Sequence, residues 1–168
     1  MTAHSVGHFD FSNTALAYDE LAGALRALLC GETDLIANAA NTAALIYSAL
    51  PRINWCGFYF LRDAELVLGP FQGQPACVRI ALGRGVCGTA AAQRSTQIVA
   101  DVHEFPGHIA CDAASRSELV VPLLRAGVTG QLQLLGVLDI DSPLVARFDS
   151  ADARGVERLA QLFIASLG

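Results

Sequence analysis

The chain has 168 residues, of which 53% are hydrophobic and 16% are charged, with a formal net charge of −5. This is enough apolar material for one sizeable core, and we expect residues 1–168 to form a single domain. The negative charge and the lack of a lysine or arginine cluster argue against nucleic-acid and membrane partners. Neither a membrane-spanning apolar run nor a signal peptide is recognisable, so we expect a cytoplasmic protein.

Two N-terminal segments, 13–29 and 34–50, repeat apolar residues with the period of an α-helix. Candidate N-cap residues precede or open both segments, and Pro51 ends the second. The candidates are Asn13 or Thr14 for the first helix and Thr33 or Asp34 for the second.

Short runs rich in β-branched and aromatic residues follow, and each predicts a strand. They cover residues 55–61, 65–68, 77–81, 97–100, 118–124 and 131–140. A further helix is predicted to begin at Val86, and a last amphipathic helix to run from Asp149 to Leu167. Helices at both ends of a mostly antiparallel sheet define an α+β fold.

The segment 105–117, FPGHIACDAASRS, is too long and too polar for a tight turn. Loops of this length in a compact domain are more often functional than not. Cys111 lies within it among polar neighbours, where a thiol can be accessible and reactive.

Four other cysteines bring the total to five, an odd number that argues against the disulfide framework of a secreted protein. Cys30 and Cys56 have apolar neighbours and are expected to be buried as small hydrophobic side chains. Cys87, in GRGVCGTA, lies near a predicted helix N-terminus, where the helix dipole favours a thiolate. Electrostatics alone leaves both Cys87 and Cys111 as candidate nucleophiles. Cys77 is either a core cysteine or a second thiol at the edge of a site.

A zinc site built from these cysteines is disfavoured, because no pair has the short spacing of a zinc knuckle. His103 or His108 would be the fourth ligand of such a site. The glycine-rich stretch 83–88 lacks the Lys-Ser/Thr of a P-loop, and it predicts a strand-to-helix turn.

Three carboxylates end or open predicted strands. Asp139 and Asp141 in LDIDS are two residues apart, so both project from one face of a strand. Glu118 opens the strand ELVVPL. Acidic residues at strand ends are usually solvated, but a convergent set could bind an ammonium group or donate a proton.

Several motifs taken together resemble the free methionine-(R)-sulfoxide reductases of the GAF-domain family. They are NWCGFYF, GPFQGQPACVRI, GRGVCGTA, DVHEFPGHIACDAASRSELVVP and GVLDIDSP, in that order from Trp55 to Phe148. The resemblance implies a GAF domain whose N- and C-terminal helices pack on one face of the sheet, with capping loops over the site on the other. It also implies a homodimer that needs no metal or organic cofactor and is regenerated by thioredoxin.

The resemblance also implies roles for individual residues. Cys111 matches the family nucleophile and Cys77 the resolving thiol, which predicts a Cys77–Cys111 disulfide. Cys87 matches a third cysteine, either paired with one of these, with Cys87–Cys111 as the alternative disulfide, or held in reserve. Glu118, helped by Asp141, is our candidate proton donor. Trp55 and Tyr59 match residues that wall the methyl-sulfur end of the substrate. Asp139 is expected to help hold the substrate's amino group or its neighbouring polar shell.

Two alternatives and one departure remain. The fold also permits a GAF module that binds a small ligand such as a cyclic nucleotide, or a cysteine-based redox sensor. Neither alternative needs the full set of cysteines, carboxylates and aromatic residues. The departure is segment 125–136, RAGVTGQLQLLG, which is longer and more apolar than the family's tight turn. It is expected to lengthen a hairpin at the dimer contact or to change the rim of the pocket.

Overall fold

The computed structural model describes residues 9–107, 114–127 and 130–168. Within these residues the chain forms four α-helices, six strands and one short 3₁₀ turn, Val102–Glu104. The helices are α1 (Thr14–Leu28), α2 (Leu35–Ala49), α3 (Gly85–Gln93) and α4 (Ser150–Ser166). The strands are β1 (Trp55–Arg62), β2 (Glu65–Gln72), β3 (Arg79–Ala81), β4 (Gln97–Val99), β5 (Ser117–Ala126) and β6 (Leu132–Ser142).

The six strands form one sheet in the order β3-β2-β1-β6-β5-β4. Every neighbouring pair is antiparallel, so the predicted α+β class and antiparallel sheet are confirmed. The chain runs from β1 through β2 to β3 at one edge, crosses to β4 at the other edge and returns through β5 to β6, which places β1 and β6 side by side at the centre.

The helix ends follow local rules, and the predicted ends are confirmed to within one residue. Asn13 caps α1 by accepting from the backbone N–H of Leu16. Asp34 caps α2 by accepting from the N–H groups of Ile36 and Ala37. A capping box between Asp149 and Asp152 begins α4.

The predicted strand 77–81 is wrong in its first half, because β3 contains only Arg79–Ala81. Those three residues pair with Glu65–Val67 of β2. Cys77 therefore lies in the segment that leads into β3, after Pro75, and not on a strand. Strand pairing at a sheet edge depends on the partner strand, which the residues of the run itself do not reveal.

Cys30 is exposed, so its predicted burial is wrong. Helix α1 ends at Leu28, and Cys30 falls in the turn beyond it, where its side chain leaves the packed face. Cys56 is buried as predicted, within the apolar core.

The hairpin between β5 and β6 is longer than predicted from their apolar runs. Pairing continues to Ala126 and Leu132, with an irregularity between Leu123 and Leu124. The turn closes with a hydrogen bond from the N–H of Gly127 to the carbonyl of Gln131. The described residues of the 125–136 segment thus belong to this hairpin, whereas the predicted effect on a dimer contact or on the pocket rim stays a prediction.

The sheet separates two hydrophobic clusters. Helices α1, α2 and α4 cover one face and form the larger cluster with residues such as Phe58, Leu138 and Leu119. Helix α3 packs on the other face beside Trp55, Tyr59 and the polar side chains described below. Within the described residues, no helix is both long and apolar enough to cross a membrane.

Candidate active site

The strand register brings three of the predicted site residues into one row across the sheet. Trp55 of β1 pairs with Asp141 of β6, and Asp141 pairs in turn with Glu118 of β5. Asp139 lies two residues along β6, on the same face as Asp141. The predicted convergence of the three carboxylates is therefore present, at the ends of three adjacent strands.

A cavity opens above this row, between the sheet, the start of α3 and the segment before β3. Its lining combines aromatic residues, acidic residues and one arginine: Trp55, Tyr59, Gln74, Pro75, Ala76, Ile80, Arg84, Gly85, Val86, Cys87, Ser115, Glu118, Asp139 and Asp141.

The indole of Trp55 forms one wall of the cavity and is fixed from several sides. Its Nε1–H donates to the carbonyl of Gln74 at 3.1 Å. The ring stacks on Tyr59 and Phe71, with centroids 5.9 and 5.4 Å away. Gly73 has a positive φ, and a Cβ there would lie 2.6 Å from the indole. A larger residue at position 73 would therefore displace the ring.

Two carboxylates at the floor of the cavity surround the thiol of Cys87. Its Sγ lies 3.2 Å from Oδ2 of Asp139 and 3.8 Å from Oε1 of Glu118. Glu118 is 7% exposed and Asp139 is 6% exposed. Oδ1 of Asp139 is buried and accepts no hydrogen bond from the described residues. Asp139 thus keeps an acceptor available to a ligand.

Burial determines the protonation of this cluster. Removal from water raises the pKa of Glu118 well above its ordinary value, and the charges of Asp139 and Asp141 raise it further. Burial also raises the pKa of Asp139, to about 7, although hydrogen bonds from Cys87 and from Glu118 oppose this shift. Glu118 is therefore the carboxyl group that keeps its proton at neutral pH.

The pKa of the Cys87 thiol is also raised, first by burial and then by the charges of Asp139 and Glu118. This direction is opposite to the one that its position near the start of α3 suggested. The helix dipole supplies about half a charge, whereas two carboxyl groups lie almost in contact with the sulfur.

Cys87, Glu118 and Asp139 are also the described residues placed closely enough to share a metal ion, with ligand atoms within 4.8 Å of one another. A thiol-to-carboxylate hydrogen bond accounts for the short separation between Cys87 and Asp139 without an ion. We therefore assign no metal to this cluster.

The outcome differs among the predicted cysteines and histidines. Cys111, and with it either predicted disulfide that includes it, lies outside the described residues, as does His108. Cys77 is disulfide-bonded, whereas Cys87 carries a free thiol. His103 lies away from the cavity lining and contacts Asp101 at 2.9 Å.

Three contributors to the site were missed in the sequence. Gln74 positions Trp55 through its backbone, and Gly73 and Pro75 on either side of it were the available signal. Ser115 reaches the cavity and accepts from Nδ2 of Asn54 at 3.1 Å. Arg84, the residue before α3, is the cationic member of the lining, which no local pattern indicated.

The GAF domain family model matches residues 35–164, which include the whole sheet and the cavity lining. Free methionine-R-sulfoxide reductase from Escherichia coli is 55% identical over 146 residues, which are 86% of each chain. The chain belongs to the free methionine-R-sulfoxide reductases of the GAF-domain family. The GAF fold that the sequence motifs implied is thereby confirmed.

Solved structures agree with this family. A Neisseria meningitidis free methionine-R-sulfoxide reductase, solved in complex with its substrate, superposes with a TM-score of 0.89 at 44% identity, covering 98% of this chain and 95% of that one. A Burkholderia vietnamiensis protein described as a GAF sensor is 60% identical, with a TM-score of 0.84 and 90% and 94% of the two chains covered. Family members therefore share this architecture closely.

Proposed function

We propose that this chain reduces free L-methionine (R)-S-oxide to L-methionine. One observation beyond family membership carries the proposal: a protonated acid, a second carboxylate and an aromatic wall line the same cavity. Free methionine sulfoxide uses all three, because its sulfoxide oxygen must accept a proton, its ammonium group needs an anion and its methyl-sulfur end is apolar.

The cavity suggests how the substrate binds. The rings of Trp55 and Tyr59 offer an apolar surface to the methyl-sulfur end. Asp139 and Asp141 lie on one face of β6 and offer carboxylate oxygens to the ammonium group. If the pocket closes over both charged ends of the molecule, no exit is left for a peptide chain, and a preference for the free amino acid follows.

Glu118 is our candidate general acid. A sulfoxide sulfur is a poor electrophile until its oxygen is protonated or strongly hydrogen-bonded. Glu118 is buried, retains its proton and lines the cavity. Asp141, opposite it in the sheet register, helps to hold that proton through its negative charge.

Cys111 is our candidate nucleophile. Its thiolate attacks the substrate sulfur while the sulfoxide oxygen is protonated, methionine leaves, and the oxygen remains on Cys111 as a sulfenic acid. The thiol of Cys77 then condenses with the sulfenic acid, which releases water and forms a Cys77–Cys111 disulfide. The dithiol of thioredoxin reduces this disulfide and is itself oxidised. The disulfide-bonded state of Cys77 and the free thiol of Cys87 support this division of roles.

We further propose that the enzyme is a single-domain, cytoplasmic homodimer without a metal or organic cofactor. The thioredoxin requirement itself suits a compartment in which thiols are kept reduced. Size-exclusion chromatography with light scattering tests the dimer, and metal analysis of the active enzyme tests the cofactor.

The decisive test is thioredoxin-dependent NADPH oxidation with the separate R and S diastereomers of free methionine sulfoxide and with a peptide-bound form. We expect turnover with the free R form and little with the other two. No turnover of the free R form would favour a GAF module that only binds a ligand.

Cysteine variants test the proposed chemistry. Cys111→Ser is expected to abolish methionine formation, because no other thiol replaces the nucleophile. Cys77→Ser should still release about one methionine per chain in a single turnover but recycle poorly. Cys30→Ser, which changes an exposed cysteine, is the matched control. Full thioredoxin-coupled activity in Cys111→Ser would contradict the mechanism.

A further inference from the structure

Cys87 has no part in the proposed chemistry, although it lies at the centre of the site. The side chain is 4% exposed and carries a free thiol. Its sulfur approaches Asp139 at 3.2 Å and Glu118 at 3.8 Å, and both carboxyl groups are themselves buried. A group this well enclosed by the proposed acid and its neighbour needs its own explanation.

The surroundings of Cys87 favour the thiol over the thiolate. A thiolate here would face two carboxyl groups at close range, with no cation within hydrogen-bond distance among the described residues. Burial and these carboxyl groups raise the pKa of the thiol. The form present at neutral pH therefore has one S–H to donate and is a poor nucleophile.

The single S–H of Cys87 has two carboxyl acceptors within reach, and the shorter distance indicates that it donates to Asp139. At 3.2 Å the contact with Oδ2 of Asp139 is a good sulfur hydrogen bond, whereas 3.8 Å to Glu118 is close to the upper limit for sulfur. A donor stabilises the ionised form of the carboxyl group that accepts from it. Cys87 thus favours ionised Asp139, and so does Glu118, which also donates to it. The negative charge on Asp139 and this hydrogen bond in turn hold the proton on Glu118.

The backbone at the start of α3 places the Cys87 thiol against the sheet. A Cβ at position 88 would lie 2.4 Å from the carbonyl oxygen of Ala81, so glycine allows α3 to approach the end of β3. The backbone N–H of Gly83 donates to the carbonyl of Gly88 at 2.8 Å, which ties the turn to the first turn of the helix. This close approach presses Cys87 against the sheet.

We propose that Cys87 is a positioning residue whose S–H bond to Asp139 keeps that carboxylate ionised for the substrate ammonium group and leaves the catalytic proton on Glu118. This inference rests on the proposed function and deepens it, because it assigns the third cysteine a role without oxidation. Cys87 then forms no covalent bond during turnover.

Two substitutions separate this role from thiol chemistry. Cys87→Ala removes the donor, and Cys87→Ser keeps a donor but removes the sulfur. For Cys87→Ala we expect KM for the free R form to rise about tenfold, because one hydrogen bond to a charged group is lost. We also expect the alkaline limb of its kcat profile to move to lower pH, because Glu118 loses part of the charge that retains its proton. Cys87→Ser should recover most of both effects.

Infrared spectroscopy tests the same role of Cys87 without enzyme turnover. Infrared difference spectra across a pH titration report the protonated carboxyl group directly, with Glu118→Gln identifying the Glu118 band. In Cys87→Ala the Glu118 band should disappear at lower pH than in the wild type, and in Cys87→Ser it should shift less.

The outcomes distinguish the two proposals. If wild-type enzyme fails to turn over the free R form, the proposed function fails, whereas the infrared titration still tests Cys87. If wild type is active but Cys87→Ser is as impaired as Cys87→Ala, with an unshifted carboxyl band, the thiol itself is needed and the positioning role is overturned. Wild-type KM and pH profile in Cys87→Ala would overturn it as well. Cys30→Ser is the control for changing a cysteine outside the site.

Discussion

Consecutive residues of the same strand point to opposite faces of the central sheet, and the two faces are different environments. On β5, Glu118 faces the cavity and Leu119 faces the helices, and on β6 Asp139 lies between Leu138 and Ile140. Both faces are buried. One is filled by apolar side chains and helices α1, α2 and α4, whereas the other holds carboxyl groups at a cost in free energy.

Successive side chains of a strand point to opposite faces of the sheet, so neighbouring residues of β5 and β6 contribute to stability on one face and to chemistry on the other. The apolar face stabilises the fold by removing hydrocarbon from water. The cavity face retains proton-binding groups that a sheet optimised for stability would exclude, a trade-off common at active sites. Substitution of a cavity-facing residue should therefore change activity, and substitution of its neighbour on the same strand should change stability.

Glu118→Gln should give the largest change on the cavity face. Gln keeps the shape but cannot donate a carboxylic proton, so we expect kcat/KM for the free R form to fall about 100-fold or more. The thermal midpoint should be unchanged or raised, because a buried ionisable group is removed. Activity assays and thermal denaturation on the same preparation check both parts. Wild-type kcat in this variant would exclude Glu118 as the acid.

Leu119→Ala is the matched change on the other face of β5. Leu119 is completely buried in the large core cluster, and its truncation should lower the free energy of unfolding by about 2–5 kcal/mol. Activity per folded molecule should remain near wild type, because the side chain points away from the cavity. Denaturant unfolding and assays well below the midpoint measure these effects. If activity fell as far as in Glu118→Gln, the separation of the two faces would be wrong.

Asp139→Asn tests the cost of a buried carboxyl group through pH. The pKa of Asp139 is raised from 3.8 to about 7 in the folded protein, so the native state binds the proton more tightly than the unfolded chain. Its contribution to stability is complete below pH 4 and decreases as the pH rises towards 7. We expect Asp139→Asn and wild type to be similarly stable near pH 4, and the variant to be more stable by up to about 4 kcal/mol at pH 7.5.

Denaturant unfolding across this pH range measures the Asp139 effect. Asp63→Asn, an exposed carboxylate in the turn between β1 and β2, provides the control and should follow the wild-type pH dependence. A constant stability difference between Asp139→Asn and wild type at all pH values would show that Asp139 does not hold a proton on folding.

The contrast between the faces also explains what could be predicted from the sequence. Period two places Trp55 and Tyr59 on one face of β1, as predicted. Helix caps depend only on their near neighbours, so the sequence narrowed the cap of α2 to Thr33 or Asp34, of which Asp34 is the cap. The pairing of Glu118 with Asp141 depends on the register of a hairpin that contains an irregularity, and one shifted residue would reverse every side chain.

The environment of Cys87 was the least accessible to local reasoning. Its place near a helix start suggested a thiolate, but the carboxyl groups that decide its protonation come from β5 and β6, more than thirty residues along the chain. The edge strand β3 was overestimated for a related reason, because pairing with β2 fixes its length. Long-range contacts set these features, and local patterns do not contain them.

The smallest expected contrast is between two aromatic residues of β1. Trp55→Phe keeps an aromatic ring in the cavity but removes the donor to the carbonyl of Gln74, so the segment before β3 loses one tether. A lost neutral hydrogen bond corresponds to a rise in KM of about threefold to tenfold, with little change in the thermal midpoint because Gln74 is exposed to water.

Phe58→Leu changes the neighbouring face of the same strand, where Phe58 packs on Phe163 with centroids 4.7 Å apart. This substitution should lower the free energy of unfolding by about 1 kcal/mol or somewhat more and leave KM unchanged. Kinetic and unfolding measurements on the pair check the contrast. An unchanged KM in Trp55→Phe would mean that the ring alone forms the substrate wall, and the bond to Gln74 would then serve only to hold the chain entering β3.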